Sequence, residues 1–177
     1  MDIEGLGLMM RSTKLAGLAL LALGAGILAG HAQLISANGQ NRPTSKNDAV
    51  QYLFPEQVTV GAGKASPVSL HFRVVSGMHN NSHTPSDEYL IPTVFTIPDG
   101  EGVKLAAANY PNGGNITLSA DPKTKLSVYT GEFIIQAKIL SPAGNHLVQG
   151  KLRYQACNDS QCLPPKTITV PIDVIGK

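Results

Sequence analysis

From Gln57 onward, short runs of β-forming residues recur about every ten positions, separated by Gly, Pro, Asn and Asp, and no segment of this region carries a helical period with caps. Val68, Leu70, Phe72 and Val74 alternate with Ser69, His71 and Arg73, which sends one set to a core and the other to water. Residues 94–97, 103–108, 115–119, 131–140 and 147–156 continue the series. Asp99-Gly100, Asn112-Gly113-Gly114 and Pro142-Ala143-Gly144-Asn145 supply turn chemistry between runs. The run 132–140 (EFIIQAKIL) is dense in apolar β-formers and would aggregate on an open edge, so it belongs in the core. The pattern predicts an all-β sandwich of about eight strands. The chain has no Trp, so it lacks the Cys…Trp…Cys signature of antibody-type domains.

The N-terminal region obeys different rules. Arg11 and Lys14 precede an apolar run over 15–29, and small residues stand ahead of Gln33, which is the grammar of a secretory signal peptide cleaved near Ala32. The run is shorter than the about 18 residues a spanning helix needs, so the mature domain is not expected to span a membrane. Residues 33–49 are polar, rich in Asn, Ser and Gly, and read as a flexible leader. Residues 50–177 then form one domain with its own core. Setting aside Arg11, Lys14, Asp2 and Glu4 leaves the net charge at +2, without a basic run, which argues against a nucleic-acid partner.

Both cysteines fall in one stretch, Tyr154-Gln155-Ala156-Cys157-Asn158-Asp159-Ser160-Gln161-Cys162-Leu163-Pro164-Pro165-Lys166. A strand reading over 147–154 before it and an alternating run over 167–174 after it place the pair on the connection between neighbouring strands. A disulfide there closes a small ring, worth about 2 kcal/mol by loop-closure entropy, so stability is a modest reason for it. Spacing alone favours a structural staple over a redox pair. Pro164 and Pro165 shift the balance: they remove two backbone donors and fix two φ angles directly after Cys162, stiffening the loop that presents that sulfur. Arg153 and Lys166 favour a thiolate and Asp159 opposes it, which leaves the direction of any thiol shift open.

The run Tyr-Gln-Ala-Cys…Cys-Leu-Pro-Pro-Lys-Thr resembles the active-site segment of the N-terminal periplasmic domain of the DsbD thiol:disulfide interchange family. Ser76-Gly77-Met78-His79 and Tyr89-Leu90-Ile91-Pro92-Thr93 extend the likeness over most of the chain after about residue 50. Four residues separate the cysteines where the best-known members have five. The resemblance implies an immunoglobulin-like sandwich in the periplasm whose Cys157 and Cys162 act as a thiol:disulfide oxidoreductase pair. It further implies a relay of electrons between a membrane-embedded thiol reductant and thioredoxin-fold partners. Cys162 would carry the intermolecular bond and Cys157 would resolve it. A cap loop covers the cysteines in that family. By the same resemblance Tyr110, in Asn109-Tyr110-Pro111-Asn112-Gly113-Gly114, would be its aromatic residue and His79 a second shielding residue.

Other chemistry is less well supported. His79 and His83 are four apart, a spacing that converges on a metal in a helix, but the stretch 77–85 reads as a loop, so neither a metal nor any other cofactor is expected. Gly-x-Ser-x-Gly is missing, and Asp87-Glu88 are adjacent carboxylates that diverge in an extended chain. The competing reading is a non-enzymatic immunoglobulin-like binding module whose disulfide only staples a hairpin.

Overall fold

The computed structural model describes residues 47–54, 57–118 and 121–177. The stretch read as a signal peptide and most of the stretch read as a leader lie outside the described residues. Twelve strands are present among them: β1 (Val50–Tyr52), β2 (Gln57–Val60), β3 (Ala65–Val74), β4 (His79–Asn81), β5 (Val94–Thr96), β6 (Lys104–Asn109), β7 (Gly114–Leu118), β8 (Asp121–Tyr129), β9 (Glu132–Leu140), β10 (Gly144–Tyr154), β11 (Ala156–Cys157) and β12 (Lys166–Gly176). No helix long and apolar enough to cross a membrane occurs among the described residues.

The strands form three four-stranded sheets, ordered β1-β3-β9-β6, β2-β12-β10-β5 and β11-β4-β8-β7. The first two supply most of the core, because each of their long strands alternates. β9 buries Phe133, Ile135, Ala137 and Ile139 and turns Glu132, Gln136 and Lys138 outward. Opposite it, β10 and β12 contribute Val148, Leu152, Tyr154, Ile168, Val170, Ile172 and Val174 to the same cluster. Each fully buried aliphatic or aromatic side chain contributes about 1.5–3 kcal/mol, so this two-sheet contact dominates the fold. β9 lies between β3 and β6, with no free edge. The third sheet joins the core through Tyr129, whose ring stacks on Phe133 with centroids 4.6 Å apart.

The excess over about eight strands comes from short or polar elements. β1, β4 and β11 have three, three and two residues, too few for a period to show. β8 opens with Asp-Pro-Lys-Thr-Lys, exposed along its first half, and so reads as a turn. At the described end of the stretch read as a leader, Asp48 is 2% exposed and Ala49 packs against the core.

β10 and β12 are antiparallel over eleven register pairs, from Gly144↔Gly176 to Tyr154↔Lys166. The cysteine segment is therefore the connection of one long hairpin.

Candidate active site

Tyr154 and Lys166 are register partners, so residues 155–165 leave and re-enter the sheet at one place. Within that excursion the chain makes a second, tighter reversal. Asn158 drives it: its N–H donates to Gln161 O at 2.9 Å, and its Oδ1 accepts the Ser160 and Gln161 N–H groups, each at 2.9 Å. An asparagine side chain that hydrogen-bonds its own backbone downstream favours such a turn. The reversal sets Cys157 and Cys162 opposite each other as an antiparallel bridge, Cα atoms 3.9 Å apart and sulfurs joined. Leu163 N–H donates to Ala156 O at 2.8 Å, which closes the reversal below the bridge.

The two sulfurs sit in different surroundings. Cys157 is 3% exposed, on β11 against β4, whereas Cys162 is exposed. Leu163, Pro164 and Pro165 follow Cys162 on the surface and form one wall of a cavity of about 490 Å3. Met78 and Val75 contribute to its lining, and so do Tyr154 and Ala156 beneath. An apolar groove thus lies beside the exposed end of the disulfide.

Lys166 does not act on the sulfurs as a free cation, because its Nζ is paired with the buried carboxylate of Asp48. Arg153 is exposed. Asp159 acts by charge on His79.

The stretch around His79, expected as a loop, is instead a buried strand. His79, Asn80, Asn81 and Ser82 are 5%, 0%, 1% and 0% exposed. Polarity signals surface only when water is the sole partner at hand, and here the protein supplies others. Asn80 Nδ2 donates to Thr93 Oγ1 at 2.7 Å, Thr93 Oγ1 donates to Asn81 O, and Asn81 Nδ2 donates to Ile91 O at 3.0 Å. Ser82 and Ser127 share a hydroxyl contact of 2.8 Å. Three atoms of this strand remain buried without a partner: His79 Nε2, Asn80 Oδ1 and Asn81 Oδ1.

His79 is the register partner of Cys157. Directly opposed residues of an antiparallel pair put their side chains on the same face, so the imidazole and the buried sulfur lie on one face of the β4–β11 pair. Burial lowers the pKa of His79 from 6.5, and the charge of Asp159 opposes that shift.

Tyr110 is held by two contacts of its own. Its ring stacks on His83, centroids 3.7 Å apart and planes 3° from parallel, and its hydroxyl accepts the Phe95 N–H at 2.8 Å. Burial raises its pKa, and the Phe95 hydrogen bond opposes the rise. His83 Nδ1 is 3.0 Å from Thr93 O. The structure thus brings together Cys157, Cys162, His79, Pro164 and Pro165, and ties Tyr110 to the β4–β5 connection. Among the described residues, no group of three or more His, Cys, Asp and Glu side chains is placed to hold a metal.

Asp48 has no part in the sequence reading, and Met78 and Leu163 enter it only within the motifs around His79 and Cys162. Met78 and Leu163 each adjoin a site residue, a usable signal, whereas Asp48 carries none.

Residues 49–173 match the family model for the N-terminal part of thiol:disulfide interchange protein DsbD. The crystal structure of the reduced N-terminal domain of Neisseria meningitidis DsbD is similar, with 18% identity and a TM-score of 0.43, over 65% of this chain and 82% of that one. No curated protein matches the chain.

Proposed function

Because the chain belongs to the family of the N-terminal domain of thiol:disulfide interchange protein DsbD, we propose that it is an exported, periplasmic exchange domain whose Cys157 and Cys162 cycle between dithiol and disulfide. Thioredoxin-fold proteins are its partners, and a membrane-embedded thiol reductant is the other end of the relay. The observation that carries this reading is the unequal exposure of one disulfide: a partner thiolate can reach Cys162 but not Cys157.

Exchange requires in-line attack by a thiolate on one sulfur. A partner thiolate attacks Cys162 Sγ, the bond to Cys157 breaks, and Cys157 leaves carrying the electron pair. The reverse step resolves the mixed disulfide, when Cys157 attacks Cys162 Sγ and expels the partner's sulfur. Pro164 and Pro165 hold Cys162 in place during both, and the apolar groove receives the partner segment flanking its cysteine. Of the two residues named for shielding, His79 stands opposite Cys157, while Tyr110 holds the β4–β5 connection.

The test is to trap the intermediate. With Cys157→Ser, a mixed disulfide between Cys162 and a thioredoxin-fold partner should accumulate on non-reducing gels, because the resolving thiol is gone; Cys162→Ser should trap far less. A structural staple would trap no specific partner with either variant. A titration provides a second readout: an exchanging pair lies at about −270 to −120 mV, a staple below about −300 mV. A potential in the lower range together with empty traps would sink the proposal.

A further inference from the structure

We propose that His79 is the base that takes the proton from the Cys157 thiol when that thiol resolves a mixed disulfide held at Cys162. The proposal rests on the exchange reading above and assigns a chemical role to a residue that otherwise only covers the site. Resolution needs a thiolate, and burial disfavours the charged form of a thiol. Cys157, at 3% exposure, is shut away from solvent bases.

His79 meets the requirement on three counts. It is the register partner of Cys157 across β4 and β11, so the two side chains share a face. At 5% exposure it is as secluded as the thiol. Its Nε2 has no hydrogen-bond partner, an uncommon condition for a buried ring nitrogen, and in the tautomer with its proton on Nδ1 it is free to accept one. Burial also lowers its pKa, which keeps the ring neutral near pH 7. Of the other titratable groups near it, Asp159 on the cysteine loop opposes that shift by charge. Tyr129 on β8 pairs with the neighbouring Asn80 and has its hydroxyl engaged by His83 N–H and Pro111 O.

The step balances. The proton passes from Cys157 Sγ to the imidazole, the Cys157–Cys162 bond forms, and the Cys162–partner bond breaks. The partner's sulfur leaves as a thiolate with two electrons from the domain's dithiol, so the oxidant is the partner's disulfide.

The reduced protein, mixed with the aromatic disulfide dithiobis-nitrobenzoate, should release thionitrobenzoate in two phases. Attack by Cys162 gives the first, and resolution by Cys157 gives the second. In His79→Gln, the ratio of second-phase to first-phase rate should fall on the order of 100-fold at pH 7. It should recover towards pH about 10, where hydroxide ionises the thiol unaided. An unchanged ratio, or a deficit that persists undiminished at high pH, overturns the assignment. Should the variant not fold, the unaltered protein decides: a base at His79 predicts a second phase nearly flat between pH about 6.5 and 8. A rise of about tenfold per pH unit over that range marks direct ionisation of the thiol and overturns it. Release of a single equivalent by the unaltered protein would instead sink the exchange reading itself, a result distinguishable from failure of the His79 assignment alone.

Discussion

Tyr154 ends β10 at the mouth of the cysteine excursion and is 1% exposed; its hydroxyl accepts the Val50 N–H at 3.4 Å. Burial pushes its pKa up to about 12 from 10.0, with Asp48 adding to the rise and the Val50 hydrogen bond opposing it. The fold therefore holds the phenol neutral at pH values where the unfolded chain has already lost the proton. Its contribution is complete below pH about 10 and is lost between about 10 and 12, about 3 kcal/mol in all. Tyr154→Phe should lower stability by about 1 kcal/mol at pH 7, because the Val50 N–H loses its acceptor. The same variant should lose less stability than the parent between pH about 10 and 12. Urea midpoints across that range, with constant m, check both signs. At this scale the sequence is uneven. Cys157 and Cys162 stand out because they are the only two of their kind, and Pro164-Pro165 because proline has a fixed backbone meaning. Asp48 could not be found, since its partner Lys166 is 118 residues away and a lone aspartate in a polar stretch looks solvated.

Among elements, β10 shows how closely the sandwich is packed. A Cβ added at Gly150 would stand 2.7 Å from Phe95 Cε2 and 3.1 Å from Val170 O, so the glycine is required by space. Gly150→Ala should cost about 1–3 kcal/mol by overpacking and push β5 off the β10 edge. A lower urea midpoint and faster amide exchange over 94–96 are the expected signs. The alternating strands were legible for one physical reason: β3 and β9 each have one wet and one dry face, and a period of two survives in their sequences. β4 was not, because its burial is satisfied by hydrogen bonds rather than by apolar side chains, so its residues carry the signature of a loop. β8 failed for the opposite reason, since its exposed start leaves no apolar stripe to read.

For the whole molecule, the division between core and chemistry matters most. The large cluster is formed mainly by the two facing sheets, while the disulfide sits on the edge strand of the third. Reduction should then remove only the closure of a small ring, about 2 kcal/mol, and leave the domain folded. Thermal melts with and without dithiothreitol should show a single cooperative transition in both states, lowered by several degrees in the reduced form; loss of the transition on reduction would contradict this separation.

The hairpin that carries the cysteines has one further consequence, for how such domains diverge. The excursion leaves and rejoins the ladder at the single pair Tyr154↔Lys166, so a residue gained or lost inside it does not slip the register of β10 on β12, a slip that would turn every core side chain to solvent. Selection can therefore vary the number of residues between the two sulfurs independently of the sandwich. The four-residue interval found here can lengthen or shorten without touching the interior.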